Sequence, residues 1–310
     1  MLHVLVLGSA AGGGFPQWNQ NDELARRSRQ GDPRVPPRTQ SSLAVSADER
    51  RWVLINASPD LRQQIADRRV LQPRPADPKR FSPISAVVLT NGDVDHIAGL
   101  LTLRENHAFA VYAHSRVLAL LAENSIFRVL DPGRVRRLAL PRQALEIEDG
   151  SHDRLGVAVE AFPVPGKVPL WREDASRSNF GREEGDTLGL AIGAAGGPPS
   201  LFYIPGCAAM TDDLSRRLAG APLVLFDGTL WRDDEMVRQG VGTKTGRRMG
   251  HMSCAGEDGT MAGFEKLDVR RKIFIHINNT NPILDPDSPE RAEAERRGWE
   301  IAFDGMEIRL

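Results

Sequence analysis

Residues 90–99 read Thr-Asn-Gly-Asp-Val-Asp-His-Ile-Ala-Gly, and this stretch decides the predicted fold. It follows residues 84–89, a short and partly β-branched apolar run that is typical of a buried strand. It precedes Leu100, Leu101 and Leu103, which favour a helix that ends near residues 105–106. A strand, a polar loop and a helix in this order are typical of α/β proteins, which place their chemistry in such loops.

The same loop brings together side chains that bind metals. Asn91, Asp93, Asp95 and His96 all lie within it. Carboxylate and amide oxygens with one imidazole nitrogen suit a divalent cation such as Fe(II), Mn(II) or Zn(II). Asp and Asn are also common loop and capping residues, so the residue types alone leave a purely structural interpretation open.

The composition of the whole chain excludes several classes of protein. Its 310 residues are 41% hydrophobic, which is enough for a full core, and 40 basic against 41 acidic side chains leave a net charge of −1. This balance provides no broad attraction for nucleic acid or an anionic membrane. There is no apolar run near the ~20 residues of a membrane span and no basic signal-peptide region, while Cys207 and Cys254 form no disulfide framework. We therefore expect a cytoplasmic protein with no nucleic-acid or membrane partner.

Apolar runs with strand character recur along the chain. They cover residues 3–7, 41–46, 51–56, 84–89, 109–112, 157–164, 188–192, 201–204, 223–226 and 272–275. Helices are predicted over residues 61–65 after the cap Ser58, over 115–121, and after Thr211. The tail, residues 299–310, alternates around Asp304-Gly305 and predicts a hairpin. The pattern as a whole indicates a layered α/β fold.

Three further segments are distinguished by their composition. Residues 8–14 are rich in glycine, but their spacing does not match G-x-G-x-x-G, so we expect them to let the backbone pass close to a site. Residues 20–38 are polar with three prolines, which predicts a loop or a mobile flap. Residues 132–140 are basic and indicate a solvated face.

The end of the strand at residues 272–275 carries further polar side chains. His276 leaves this strand, and three amides and a hydroxyl follow within residues 278–281. Such side chains are costly to bury without partners, so they predict a site rather than a core.

Residues 90–99 resemble the signature of the metallo-β-lactamase superfamily, H-x-H-x-D-H followed by an apolar segment with glycine. Asp95 and His96 match the signature, while Asn91 and Asp93 stand where it has its first two histidines. The resemblance implies an α/β fold, an αββα sandwich of two mixed β-sheets flanked by helices, in a single domain over residues 1–310. It also implies that His276 is the last metal-binding histidine.

The departures from the superfamily pattern fall on one half of its usual dinuclear centre. Lys167 replaces a histidine in Pro165-Gly166-Lys167, and Cys207 replaces a bridging carboxylate. An ammonium group does not ligate a metal and would instead attract a substrate carboxylate. The resemblance therefore implies one metal, held by Asp95, His96 and His276, which is the ligand set of non-haem Fe(II) oxygenases. A zinc site fits the same ligand types, and Cys207 stays open as a soft ligand.

A second pair, Asp227 and His251, is similar to the acid and histidine of the ribonuclease Z and phosphodiesterase branch. An oriented imidazole can move a proton or bind an anion, and a structural Asp–His hydrogen bond is the alternative. We assign catalytic roles to Asp93, Asp227 and His251. The predicted substrate contacts are Asn91, Lys167, Arg247 and Asn278.

Five segments, which run nearly end to end, resemble the family of coenzyme PQQ synthesis protein B. They are residues 7–19, 38–42, 56–60, 240–246 and 276–282. Members often carry a structural zinc on cysteines just after the Trp-Asn pair, where this chain has Gln20, Asn21 and Asp22. We therefore predict no structural zinc and a less rigid loop over residues 20–38.

The family resemblance implies a role in the biosynthesis of pyrroloquinoline quinone (PQQ). It favours an Fe(II)- and O₂-dependent hydroxylase acting on the tyrosine ring of a cross-linked Glu-Tyr precursor, with Zn or Mn as other candidate metals. The expected partners are this small, dipeptide-like precursor and other proteins of the pathway. Two alternatives stay open, namely a carrier of PQQ or its precursor and a hydrolase that uses a metal-bound hydroxide.

Overall fold

Two seven-stranded β-sheets lie face to face in the computed structural model, which describes residues 1–310 apart from the side chain of Asn179. The strands of the first sheet are β1 (His3–Gly8), β2 (Ser42–Ser46), β3 (Trp52–Ile55), β4 (Ile84–Val88), β5 (Phe109–Ala113), β6 (Val135–Ala139) and β14 (Glu307–Arg309). Their order in space is β14-β1-β2-β3-β4-β5-β6. Pairing is antiparallel from β14 to β3 and parallel from β3 to β6, so the sheet is mixed.

The second sheet repeats this plan. Its strands are β7 (Leu145–Glu148), β8 (Arg154–Pro163), β9 (Leu188–Ala194), β10 (Leu201–Ile204), β11 (Val224–Asp227), β12 (Lys272–Ile275) and β13 (Trp299–Ile301). Their order is β13-β12-β11-β10-β9-β8-β7. The pairs from β7 to β10 are antiparallel and those from β10 to β13 are parallel. Each sheet therefore has a parallel part whose carboxyl ends can carry a site.

Apolar side chains form three layers, one between the sheets and one on each outer face. In β3, Val53 and Ile55 pack in the middle layer, whereas Trp52 and Leu54 pack in the outer layer of the first sheet. This alternation follows from the two-residue period of a strand. The outer layer of the second sheet includes Phe274 stacked on Trp299, with ring centroids 3.9 Å apart.

Helices cover the outer faces. They are α1 (Glu23–Arg29), α2 (Leu61–Asp67), α3 (Val94–Ile97), α4 (Ser115–Glu123), α5 (Asp212–Leu218), α6 (Glu235–Arg238), α7 (Thr260–Gly263) and α8 (Pro289–Arg296). Helix α5 begins where the sequence predicts, because the Thr211 hydroxyl accepts a hydrogen bond from the backbone of Leu214. Among the described residues, no helix combines the length and apolar character needed to cross a bilayer.

The strands predicted from apolar runs are confirmed, but the predicted tail hairpin is wrong. Strand β13 ends the second sheet, whereas β14 pairs with β1 in the first sheet. The Asp304 carboxylate accepts hydrogen bonds from the Ser9 hydroxyl and from the backbone and hydroxyl of Thr39. These contacts hold the Asp-Gly segment as a crossing between the sheets, so the local turn signal did not decide the pairing.

The helix after β4 also differs from its prediction. It begins within the supposed loop, as α3, and continues as a 3₁₀ helix over Ala98–Leu103. Asp95 and His96 therefore lie on a helical turn. In α2 the cap is Asp60 rather than Ser58, and the Asp60 carboxylate instead accepts hydrogen bonds from the backbone and side chain of Gln40.

The predicted loop over residues 20–38 contains a helix, and the basic segment over residues 132–140 contains a strand. Helix α1 lies within residues 20–38, and its Arg29 guanidinium donates to the carbonyl oxygens of Gln17 and Gln20, 2.6 Å away in each case. Residues 132–140 include β6, the edge strand of the first sheet. In β6, Arg136 pairs with Glu148 of β7, so basic side chains here are compatible with strand structure at an edge.

Candidate metal centre

Strand ends from both sheets meet at a cavity of about 690 Å³. Asp95 and His96 follow β4 of the first sheet, and His276 follows β12 of the second. One ligand atom from each of these three residues lies within 4.8 Å of the others. The carboxyl ends of the parallel parts of the two sheets thus bring together one carboxylate and two imidazoles.

The His96 imidazole is held in one tautomer by Asn91. The Asn91 side-chain oxygen accepts a hydrogen bond from the backbone of Asp93 at 2.9 Å, which identifies this atom as the acceptor, and it lies 2.8 Å from His96 Nδ1. Nδ1 must therefore donate, and Nε2 carries the lone pair. Burial lowers the pKa of His96 to about 4, so the ring is neutral at pH 7.

The free nitrogen of His96 is the atom that best indicates a cation. Nε2 is buried without a hydrogen-bond partner among the residues that the structure describes, and it lies 3.8 Å from Asp95 Oδ2. Two lone pairs facing each other in a buried place are unfavourable unless a positive charge lies between them. A metal ion fits this arrangement, and Asn91 would then be the outer partner that orients the ligand.

Asp95 and His276 form the other edge of the group, with Asp95 Oδ2 and His276 Nε2 3.1 Å apart. Burial raises the pKa of Asp95, but the imidazoles of His96 and His276 outweigh it and hold the pKa below its usual range. Burial lowers the pKa of His276, but the hydrogen bond and charge of Asp95 outweigh it and raise the pKa. A bound divalent cation would replace the proton between these atoms, because ligation needs a bare Nε2.

Asp227 holds the second sheet's side of the centre without offering a free oxygen. It is fully buried and accepts hydrogen bonds from the backbones of Cys207 and Thr229, the Thr229 hydroxyl and His251 Nδ1, at 2.9, 3.0, 2.6 and 2.7 Å. Asp227, His251 and His276 also lie within metal-binding distance of one another. This second group fits a metal less well, because both carboxylate oxygens already have donors.

The His251 ring lies against His276, with centroids 5.2 Å apart and planes 19° from parallel. Because Nδ1 of His251 points to Asp227, Nε2 is left available to the cavity that His251 lines. An imidazole held in this way can accept a proton from a bound molecule.

Asp93 and Lys167 lie in the cavity lining and pair with each other. Lys167 Nζ is 3.5 Å from Asp93 Oδ2, and the backbone of Leu170 donates to Asp93 Oδ1 at 3.3 Å. Asn278 also lines the cavity and donates to the Thr280 hydroxyl at 2.7 Å. Of the residues predicted from sequence, Asn91, Asp93, Lys167 and Asn278 are thus all brought to the cavity with the three ligand candidates.

Arg247 and Cys207 are not brought to the cavity. The Arg247 side chain is exposed, pairs with Asp258 at 3.2 Å, and is not part of the cavity lining. The Cys207 thiol donates to the Ala209 carbonyl, and burial raises its pKa to about 12. The thiol is directed at this carbonyl and Cys207 is not part of the cavity lining, which disfavours the soft-ligand role left open for it.

Sequence reasoning missed two features of the site. The Thr229 hydroxyl contacts Asp227, His251 and His276, and its only sequence signal was its place two residues after Asp227. An apolar wall lines the cavity, and no periodic pattern marked it; it consists of Val94, Leu170, Trp171, Met236 and Met249. The close approach expected of the glycine-rich segment is confirmed at Gly12, where a Cβ atom would lie 3.4 Å from Asp95 Oδ2.

Comparison with known proteins gives a consistent family. The beta-lactamase superfamily domain matches residues 51–277. The chain is 51% identical to coenzyme PQQ synthesis protein B of Methylorubrum extorquens over 309 residues, covering 100% of both chains. It is 52% identical to the protein of the same name from Gluconacetobacter diazotrophicus, covering 99% of each.

Comparison with solved structures supports the same family. The Zn²⁺-bound PqqB from Methylobacterium extorquens is 51% identical and superposes with a TM-score of 0.92, covering 99% of this chain and 100% of that one. A diphosphatase of the PhnP family, at 20% identity and a TM-score of 0.69, shares the fold. The αββα sandwich of the metallo-β-lactamase type that the sequence predicted is confirmed.

Proposed function

Because the chain belongs to the family of coenzyme PQQ synthesis protein B, within the beta-lactamase superfamily, we propose that it is a metal-dependent enzyme of PQQ biosynthesis. Its cation is held by Asp95, His96 and His276. The reaction is hydroxylation by O₂ of the tyrosine ring in a small precursor made from cross-linked Glu and Tyr, with Fe(II) as the working metal.

One observation carries this proposal, namely the buried Nε2 of His96, which faces Asp95 and has no hydrogen-bond partner in the described part of the chain. The rest of the dinuclear pattern offers little to a second ion. The Asn91 oxygen already accepts two hydrogen bonds, Lys167 is a cation, and the Cys207 thiol points to a carbonyl. A single ion with two imidazoles and one carboxylate keeps positions free for O₂ and substrate.

An Fe(II) ion in this site would supply the redox chemistry by which O₂, two protons and two electrons from a reductant convert a ring C–H into C–OH and one water molecule. The chain's own side chains bind and orient the substrate. Trp171, Met236 and Met249 in the apolar wall can hold an aromatic ring and exclude water. The ammonium group of Lys167 can form an ion pair with a substrate carboxylate in place of its ion pair with Asp93.

His251 is the proton acceptor in this proposal. Its Nε2 is available at the cavity while Asp227 holds Nδ1, so it can take the proton of a phenolic hydroxyl as the ring is oxidised. Asp93 completes the polar side of the cavity by positioning Lys167.

The proposal is tested by anaerobic purification followed by metal analysis and reconstitution with Fe(II), Zn(II) or Mn(II). Single turnover with the Glu-Tyr precursor and ascorbate should add one oxygen atom to the ring only with Fe(II) and O₂ together. His276→Ala should abolish the product, and a product formed at the wild-type rate by this variant would contradict the ligand set.

The same preparation separates the two alternatives. A hydrolase would cleave a phosphodiester such as bis(p-nitrophenyl) phosphate without O₂. A carrier would bind PQQ equally well before and after removal of the metal. Either result without hydroxylation would replace the proposed reaction.

A further inference from the structure

We propose that Thr229 is a positioning residue whose hydroxyl group fixes which nitrogen of His276 faces the metal site. The inference deepens the proposed function, because it rests on His276 being a ligand. Thr229 follows β11, is only 5% exposed and lines the cavity beside His276. No motif in the sequence singles it out for this role.

The Thr229 hydroxyl has four polar neighbours. Its oxygen lies 2.6 Å from Asp227 Oδ1, 2.8 Å from His276 Nδ1, 2.9 Å from the His276 carbonyl oxygen and 3.1 Å from His251 Nδ1. A hydroxyl group has one proton to donate and two lone pairs that accept. Two of the neighbours are acceptors and two are ring nitrogens whose role depends on the tautomer.

The shortest contact of the hydroxyl group favours one assignment of its proton. The Asp227 carboxylate only accepts and makes the shortest contact, so the hydroxyl proton goes to Asp227. Both lone pairs of the hydroxyl then accept, which requires a proton on Nδ1 of His276 and on Nδ1 of His251. With one proton held at Nδ1, His276 can release the proton between its Nε2 and Asp95 and offer a bare Nε2 to a cation.

The two histidines depend on Thr229 to different degrees. Nδ1 of His251 has a second and closer acceptor, Asp227 Oδ2 at 2.7 Å. Nδ1 of His276 has Thr229 as its hydrogen-bond acceptor at 2.8 Å. Loss of the hydroxyl should therefore release the His276 ring while leaving His251 oriented. Asp227 reaches His276 through Thr229, a carboxylate–hydroxyl–histidine chain of the kind that fixes metal ligands.

The test compares Thr229→Val, which removes the hydroxyl but keeps the shape, with Thr229→Ser, which keeps the hydroxyl. Thr260→Val is a matched control, because Thr260 is buried and its hydroxyl has no hydrogen-bond partner. Zn(II) affinity is measured by competition with a chromophoric chelator. ¹H–¹⁵N spectra of histidine-labelled protein report whether the Nδ1 proton of His276 is protected from exchange with water.

We expect Thr229→Val to lower the Zn(II) affinity about 10- to 100-fold and to lose the protected Nδ1 signal of His276 but not that of His251. Thr229→Ser should restore both readouts, and Thr260→Val should match the wild type. If Thr229→Val does not fold, Thr229→Ala takes its place.

Wild-type affinity with a protected signal in Thr229→Val would overturn the inference, and so would a Thr229→Ser variant that behaves like Thr229→Val. If the wild-type protein itself binds no divalent cation, the proposed function fails. The protected signal, which we also expect in the metal-free protein, would still decide whether Thr229 holds His276.

Discussion

The two imidazoles of the candidate centre are held in opposite ways. His96 is oriented by Asn91, five residues earlier in the same segment, and burial lowers its pKa to about 4. His276 is oriented by Thr229, 47 residues away, and its contact with Asp95, 181 residues away, raises its pKa. One half of the centre is therefore a local motif, and the other exists only after the two sheets have packed.

This difference implies that different substitutions disrupt the two halves of the metal centre. The His96 side depends on a few neighbouring residues of one segment, the end of the loop after β4 and the start of α3. The His276 side depends on β11, β12 and the segments that follow them. Substitutions far away in sequence should therefore change the position of the His276 ring.

The largest effect on metal binding is expected when either imidazole is removed. His96→Ala and His276→Ala should each reduce Zn(II) affinity by more than about 100-fold, because loss of a ligand exceeds the cost of losing an outer partner. Chelator competition measures both, with His152→Asn as the control, since His152 is 71% exposed on a loop with positive φ. Equal loss would show that both halves are needed, and an affinity retained in one variant would remove that histidine from the ligand set.

The dependence of the His276 side on distant groups predicts a pH effect on stability. Glu235 accepts a hydrogen bond at 2.6 Å from Thr280, in the segment after His276, and burial raises its pKa to about 7 against the hydrogen bonds from Thr280, Trp231 and Arg232. The folded state thus binds the Glu235 proton more tightly than the unfolded chain does. The protonated carboxyl group therefore contributes fully to the free energy of unfolding below about pH 4.5, and this contribution is lost as pH rises towards 7.

The raised pKa of Glu235 corresponds to a loss of about 3 kcal/mol in the free energy of unfolding above pH 7. Glu235→Gln should remove the dependence and be more stable than the wild type at pH 8, which urea unfolding at a series of pH values would measure. Parallel curves for the two proteins from pH 4.5 to 8 would contradict this role of Glu235.

The local half can be tested at Asn91. Asn91→Ala removes the acceptor for His96 Nδ1 and should lower Zn(II) affinity about 10- to 100-fold, whereas Asn91→Asp keeps an acceptor and should lower it less. Isothermal titration of the two variants beside the wild type distinguishes them. An alanine variant with wild-type affinity would mean that burial alone holds the His96 ring.

The smallest effect is expected at Arg247, which the sequence assigned to the substrate and the structure leaves on the surface. Arg247→Ala should leave the KM for the precursor unchanged, because its ion pair with Asp258 is exposed and worth little. Lys167→Met, inside the cavity, should raise KM. A raised KM in Arg247→Ala would return this residue to the substrate site.

Sequence reasoning worked where the physical cause was local. Strands such as β4 and β12 were predictable because they are short, continuous and largely β-branched or aromatic apolar runs that end at polar residues. Asp95 and His96 were found because they are neighbours in one signature. The prediction of a hairpin in the tail failed because three hydrogen bonds to Asp304, from residues 9 and 39, outweigh a local turn preference.

By itself, the sequence determined most of the strands, the family and the types of side chain that reach the strand ends, since these follow from neighbours along the chain. Only the tertiary structure decided which acceptor holds each imidazole, that Thr229 lies between Asp227 and His276, and that Arg247 faces solvent. The reason is geometric, because a hydrogen bond forms only within about 3 Å, and packing of the sheets brings groups 181 residues apart to that distance.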